Sequence, residues 1–395
     1  MPLFGKVSDQ INNKRQVLIG LGVFCSSTIL SAVAPSWQDF LGAQCLQALG
    51  DSLVVPAQAT LIRHLFPPDK IGWAFGWQGA VLAFASLVGP GVGGVIIQFI
   101  SWRFLFVFML VLGLISIAAA MKFIPSQEPT PPQRFFWRRI PLINSITLLA
   151  LLVGVQAILL LGPEFAWCIV AAGGGIGLLL REHFGPPESC LFPPRMLHNI
   201  TFVLATIRGF MFFLAADAIA FFVPSYLESY FKYMPSKVGA ILLVEPIVMI
   251  ILGGWGGRRA NKAMQAVAIG CGLMIVSSLG LMINFSAWEV LALMGLFIMS
   301  GIGGALVVPA QNKIAMDHIE PLETGMYMGT FEMVQFIAGG FAGAAFGNML
   351  TPTNTAIISA SGFRMLLLFC AVGFLASSIT LFPNFVRSRR LEIDT

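Results

Sequence analysis

A stretch of 45 residues occurs twice in this chain, at 50–94 and again, without a gap, 253 positions later at 303–347. The first copy opens Gly50-Asp51-Ser52-Leu53-Val54-Val55-Pro56-Ala57-Gln58. Leu306-Val307-Val308-Pro309-Ala310-Gln311 repeats its core letter for letter. Pro68 falls on Pro321, Gly72 on Gly325, Gly76 on Gly329, Ala85 on Ala338 and Gly94 on Gly347, and 13 of the 45 pairs are identical. A shared six-letter run with glycines in register is hard to obtain from composition alone. The chain therefore contains two related halves, and its fold must place the two copies equivalently.

Composition decides the solvent. Only 10% of the residues are charged and 57% are apolar, whereas a soluble domain carries about 25% charged residues. The charges sit between apolar runs of about 20 residues, the length that crosses a hydrocarbon core as a helix. Twelve such runs lie near 16–35, 38–61, 72–99, 102–124, 140–161, 164–182, 200–224, 236–255, 264–284, 287–310, 323–350 and 362–383. The chain is expected to be an all-α integral membrane protein with about twelve transmembrane helices. Placing the first residues in the cytoplasm puts eighteen of the 23 Lys and Arg residues on that side. Arg103, Lys232, Lys237 and Arg364 fall outside, and Arg208 falls within a span. This bias sets both termini in the cytoplasm of a cell (plasma or inner) membrane. It also accounts for the net charge of +5 without nucleic-acid binding.

Several chemistries have no support. The chain has no Gly-x4-Gly-Lys-Ser/Thr phosphate loop for ATP. His64, His183, His198 and His318 fall in loops without metal-ligand spacing. Five of the six cysteines lie in apolar runs, where Cys behaves as a small hydrophobe. No nucleophile–base constellation appears. No cofactor, metal or enzymatic activity is expected; the expected partners are a small-molecule substrate, protons and membrane lipid.

Three motifs give the chain a family resemblance. They are Gly5-Lys6-Val7-Ser8-Asp9-Gln10 followed by Lys14-Arg15, then Gly76-x8-Ala85-x3-Gly89-Pro90-x2-Gly93-Gly94, and Trp102-Arg103-Phe104-x-Phe106. Together they resemble the major facilitator superfamily, and within it the 14-helix drug:proton antiporters. In that family they are the cytoplasmic loop between helices two and three, the antiporter motif of helix five and the start of helix six. The runs at 140–161 and 164–182 match the helix pair inserted in 14-helix members. The resemblance implies residues 1–124 as an N-terminal lobe of four helices, lacking the family's first two. Residues 125–199 are then a linker with the inserted pair, 200–384 a C-terminal six-helix lobe and 385–395 a cytoplasmic tail. One departure is Gln44-x2-Gln47-Ala48, where the family's helix-four motif carries an arginine.

The resemblance also assigns roles. Gly5, Asp9, Lys14 and Arg15 form the loop that latches the family's two lobes; the plainer reading is a basic loop that sets topology. Asn12, where the family has glycine, is expected to tolerate a left-handed turn. Gly76, Ala85, Gly89, Gly93 and Gly94 clear one face of a helix for close approach of another, and Pro90 should kink it. The alternative there is tight packing without a gating role.

Ionisable residues inside spans are costly and usually functional. There are five: Asp51, Arg208, Asp217, Glu245 and Glu332. Glu332 is the strongest candidate for proton coupling or substrate binding, because it occupies the position of Gly79 in the first copy. Its helical face is Gly325, Met328, Gly329, Gln335 and Gly339, small or polar throughout. A carboxyl group out of water can carry a proton near neutrality and give it up to a cation. Asp51 is read as a substitute for the absent arginine site or for an acid of the family's helix one. Arg208 and Asp217 are nine apart, half a turn out of phase, and cannot pair within one helix. For all five the alternative is a structural interhelical pair. The expected function is proton-coupled efflux of small lipophilic or cationic compounds by alternating access. A transporter of a specific metabolite and a truncated, non-transporting membrane relative are the alternatives.

Overall fold

The computed structural model describes residues 1–8, 12–125, 141–162, 164–184, 190–259, 262–283, 289–317, 319–320, 323–350 and 360–380. Among these residues the chain forms fifteen α-helices. The first five are α1 (Pro2–Ser8), α2 (Asn13–Val33), α3 (Trp37–Leu65), α4 (Ile71–Phe99) and α5 (Trp102–Phe123). Then come α6 (Leu142–Leu161), α7 (Phe165–Phe184), α8 (Pro194–His198), α9 (Ile200–Ser229), α10 (Pro235–Leu242) and α11 (Val244–Arg259). The last four are α12 (Ala263–Gly280), α13 (Glu289–Met316), α14 (Thr324–Leu350) and α15 (Ala360–Ile379). Each of the twelve expected spans coincides with helix. Ten stretches are long and apolar enough to cross a membrane, and α4 adds a shorter apolar stretch, Ile71–Ala85.

Local chemistry sets the helix ends. Ser36 caps α3: its hydroxyl accepts from the Asp39 amide at 3.2 Å and donates to the Asp39 carboxylate at 2.5 Å. Ser101 caps α5 by accepting from the Arg103 amide at 3.4 Å. Proline opens α8 and α10 at a position where the missing N–H has no helical partner. Gly162 ends α6 with φ 98°, a backbone open to glycine without strain. Asn12 corrects the sequence reading. Its φ is −61°, not left-handed, and its side chain accepts from the Lys14 and Arg15 amides as the N-cap of α2. Asparagine is used here as a capping acceptor and not as a glycine substitute.

The run at 236–255 falls in one candidate membrane span, Lys237–Arg259, as expected. Its helix is parted at Leu243 into α10 and α11. Pro246 lacks an N–H and its ring crowds the carbonyl of Leu242, four residues earlier, so the ladder breaks there.

The chain divides into two compact units, which cut across α4 and α14. Unit 1 comprises Met1–Pro68, Ala85–Ile140 and His318–Met333. In it α2 packs on α3 and α5, and α1 lies against α3. Gln16, fully buried, donates its amide to the carbonyls of Phe4 (2.9 Å) and Leu53 (3.0 Å), tying α2 to α1 and α3. The Ser8 hydroxyl donates to Asn13 at 2.8 Å. Buried polar groups without such partners would cost several kcal/mol in hydrocarbon, which is why these side chains pair.

Unit 2 comprises Asp69–Phe84, Pro141–Asp317 and Val334–Thr395. Here α12 packs on α13 and α15, α9 on α15, and α11 on α13. Helices α6 and α7 pack chiefly on each other, at Gly154 and Gly174, where an added Cβ would strike the backbone of Ala171 and of Leu151. Glu182 anchors the far end of this hairpin. It accepts from Asn144 (2.5 Å) and from the amides of Leu191 (2.8 Å) and Phe192 (3.1 Å).

Candidate transport site

The two repeat copies make equivalent backbone crossings. In unit 2 an added Cβ on Gly76 would strike the carbonyl of Gly253, and one on Gly257 would strike that of Gly72. In unit 1 a Cβ on Gly5 would strike the carbonyl of Gly325, and one on Gly329 would come within 2.8 Å of the Met1 carbonyl. Gly72 and Gly76 are the register partners of Gly325 and Gly329. Each copy therefore uses the same glycine pair, one helical turn apart, to admit another helix at backbone distance. The second partners, Gly253 and Gly257, lie outside the repeat. Their spacing of four in an apolar run was the signal for them in the sequence.

Helix α11 is gripped on a second side. A Cβ on Gly256 would strike the carbonyl of Ala305 on α13. Above it the Ser300 hydroxyl of α13 donates to Glu245 Oε1 at 2.7 Å. A Cβ on Gly301 would come within 2.7 Å of the Glu245 carbonyl. Glu245 thus stands just past the break at Leu243, held by side chain and backbone to the helix that carries the start of the second copy.

The other candidates are placed as follows. Glu332 is half-buried on α14, next to fully buried Met328 and Phe331. The Asp217 carboxylate reaches α14 at Gly339, where a Cβ would meet Oδ2 at 2.6 Å. Gly339 follows Glu332 by seven residues, two turns on along the same face of α14. Gln335, between them, has a buried amide nitrogen without a hydrogen-bond partner. Arg208 is fully buried on α9, and none of its guanidinium nitrogens has a partner. It does not meet Asp217. Asp51 stands on an exposed side of α3. The structure therefore brings Asp217 to α14 and Glu245 to α13.

The loop motif is placed in part. Lys14 Nζ donates to the carbonyls of Met121 (2.9 Å) and Ile124 (2.6 Å), capping the C-terminal end of α5. Arg15 is exposed. Asp9 lies outside the described residues. In the antiporter motif, Gly76 makes the crossing above and Ala85 is exposed. Gly89, Pro90, Gly93 and Gly94 fall within α4, and their packing lies outside the described residues.

Two polar residues were missed in the sequence. Gln156, in the middle of apolar α6, donates its amide to the Gly340 carbonyl of α14 at 2.8 Å. Gln311, in the repeated core, is buried with both amide atoms unpartnered. A lone polar side chain deep in an apolar run was the available signal for each.

Comparison with known proteins agrees with this architecture. The chain is 23% identical over 372 residues to the riboflavin transporter RibZ of Clostridioides difficile, covering 89% of this chain and 77% of that protein. It is 22% identical over 373 residues to the multidrug transporter protein MdtP of Bacillus subtilis, covering 89% and 67% respectively. Among solved structures, the human organic anion transporter MFSD10 superposes with a TM-score of 0.65 at 16% identity, over 95% of this chain and 79% of that one. That likeness shows the fold. The family model described as Major Facilitator Superfamily matches residues 1–344. With that match over most of its length, and with two repeat copies crossed at the same glycines, the chain belongs to the Major Facilitator Superfamily, a family of membrane transporters and not of enzymes.

Proposed function

We propose that the chain is a proton-coupled exporter of small lipophilic or cationic compounds, of the 14-helix drug:proton antiporter type, working by alternating access. The observation that carries this reading is Glu332. It is an acid within the apolar run 323–350, on the helix of the second repeat copy, at the position where the first copy has glycine. Asp217, against the backbone of the same helix, and Glu245, hydrogen-bonded to Ser300, are the supporting carboxylates. Each binds either a proton or a cation, and a cationic substrate entering from the cytoplasm displaces protons. The glycine crossings let helices slide at backbone distance while the route stays sealed to water. The segment from Gly5 of α1 through Asp9 to Lys14 and Arg15 of α2 latches one end of the cycle on the cytoplasmic side, with both termini in the cytoplasm. The four-helix lobe at 1–124 and the six-helix lobe at 200–384 are the moving halves.

Transport in proteoliposomes tests this. With a pH gradient, acid inside, and a lipophilic cation such as ethidium outside, uptake into vesicles with the cytoplasmic face outward is expected. It should collapse when the gradient is dissipated. Uptake that ignores the gradient contradicts the coupling. A second reading, transport of one metabolite, is favoured by the similarity to a protein named for riboflavin. Saturable uptake of a single compound, with no response to lipophilic cations, would select it.

A further inference from the structure

Three of the chain's four tyrosines, Tyr226, Tyr230 and Tyr233, lie within eight residues of one another. Three of the four bases on the side that the charge bias assigns as outer, Lys232, Lys237 and Arg364, lie in the same stretch or at the start of α15. An interfacial aromatic belt would spread its tyrosines over many helix ends; here they gather at one.

The structure joins these segments. Tyr226 of α9 stacks on Phe363 of α15 with ring centres 3.7 Å apart and planes 11° apart. Tyr230 stacks on Tyr226 at 5.0 Å, and Phe231 meets Tyr226 edge-on at 5.7 Å. Lys237 Nζ sits 3.4 Å from the centre of the Tyr233 ring. A cleft opens beside the stack, lined by Val223, Tyr226, Leu227, Phe231, Phe363 and Arg364 among others. Its interior is small, about 20 Å³, room for about one water, so a larger group is received at its mouth. The cleft offers an apolar and aromatic wall with one cation at its edge. Glu228, exposed on the last turn of α9, is the opposing charge nearby.

Arg103 shows what a base at this place does when it is structural. It stands at the start of α5, directly after an aromatic residue, as Arg364 does at the start of α15. Its guanidinium donates to the Ala34 carbonyl at 3.2 Å and lies 4.5 Å from the Trp102 ring. Arg364 is exposed and makes no hydrogen bond or ion pair among the described residues. Its charge is available.

We propose that this cleft binds the anionic head of an amphiphile. A phosphate, carboxylate or sulfonate group pairs with Arg364 at the mouth of the cleft, and the apolar body lies along the exposed rim at Tyr230 and Phe231. The shared chemistry is an anion on an apolar body, whether a membrane phospholipid or a free aromatic acid. Binding needs no gradient and is independent of the transport reading.

The test is the thermal unfolding midpoint of the purified chain in a neutral maltoside detergent, titrated with phosphatidylglycerol, phosphatidylcholine or naphthalene-1-sulfonate. The expected result is stabilisation by phosphatidylglycerol at concentrations at least about tenfold below those needed with phosphatidylcholine. Arg364→Gln should abolish that preference, while Arg364→Lys and Lys122→Gln, a base of the other unit, should retain it. A response to naphthalene-1-sulfonate as well assigns the site to free aromatic anions, and a response to phosphatidylglycerol alone assigns it to lipid. Equal responses to both lipids, or an unchanged preference in Arg364→Gln, overturn the proposal. Because Arg364 is exposed, its replacement leaves the packed core in place.

Discussion

The second helices of the two repeat copies, α4 and α14, differ in chemistry at one register position. Helices α4 and α14 share the glycine pair that admits a second helix, Gly72 and Gly76 in one and Gly325 and Gly329 in the other. Three residues past the second glycine, the first copy has Gly79 and the second has Glu332. At Gly79 an added Cβ would meet only a Val308 methyl, at an ordinary 3.9 Å. The first copy thus has space at this position and no chemistry, and the second has a carboxylate. The scaffold is duplicated and the candidate chemistry is not. A glycine that accepts a backbone is fixed by geometry, whereas a glycine with space beside it is free to become an acid.

Substitutions can break or sharpen this contrast. The largest effect is expected at Glu332: Glu332→Gln should cut gradient-driven transport by at least about tenfold, ~1.4 kcal/mol, while the fold persists. Vesicle uptake beside a thermal melt would measure both. Next come the crossings. Gly76→Val and Gly329→Val put side chains against backbone that cannot rotate away, and each should destabilise the protein by about 1–3 kcal/mol, read as a lower melting midpoint. Gln156→Leu removes one interhelical hydrogen bond to Gly340 and should cost about 0.6–2 kcal/mol, in the same melt. The smallest effect belongs to Gly79→Ala, expected within about 0.5 kcal/mol of the parent. A Gly79→Ala as damaging as Gly76→Val would erase the distinction between the two kinds of glycine.

Much of the fold was legible because it rests on local signals. Apolar runs of membrane length gave the helices, and the glycine face of α4 marked, at Gly76, a helix that admits another. The break at Leu243 was written in Glu245-Pro246, yet apolar continuity over 236–255 concealed it. Asn12 was misread because a family glycine suggested backbone freedom, while an asparagine ahead of a helix supplies a cap. The grouping of the candidate site was not legible. Asp217 reaches Gly339, Gln156 reaches Gly340 and Ser300 reaches Glu245 across 55 to 184 residues of sequence. Nothing in helical periodicity states which spans become neighbours. Arg208 was expected either to pair across helices or to serve a site. It is buried, without a hydrogen-bond partner for its guanidinium among the described residues; that speaks against the interhelical pair and leaves the site role open.

The most direct test of the account is proton release on substrate binding. The purified chain, in weakly buffered detergent near neutral pH, would be mixed with a lipophilic cation while the pH of the medium is followed, beside Glu332→Gln. A carboxyl group that exchanges a proton for a cation acidifies the medium. The release shrinks as the starting pH rises, because the proton has already left. The account predicts acidification by the parent chain that fades toward alkaline pH, and none by Glu332→Gln. Equal release from both proteins would contradict the assignment of proton exchange to the acid of the second copy.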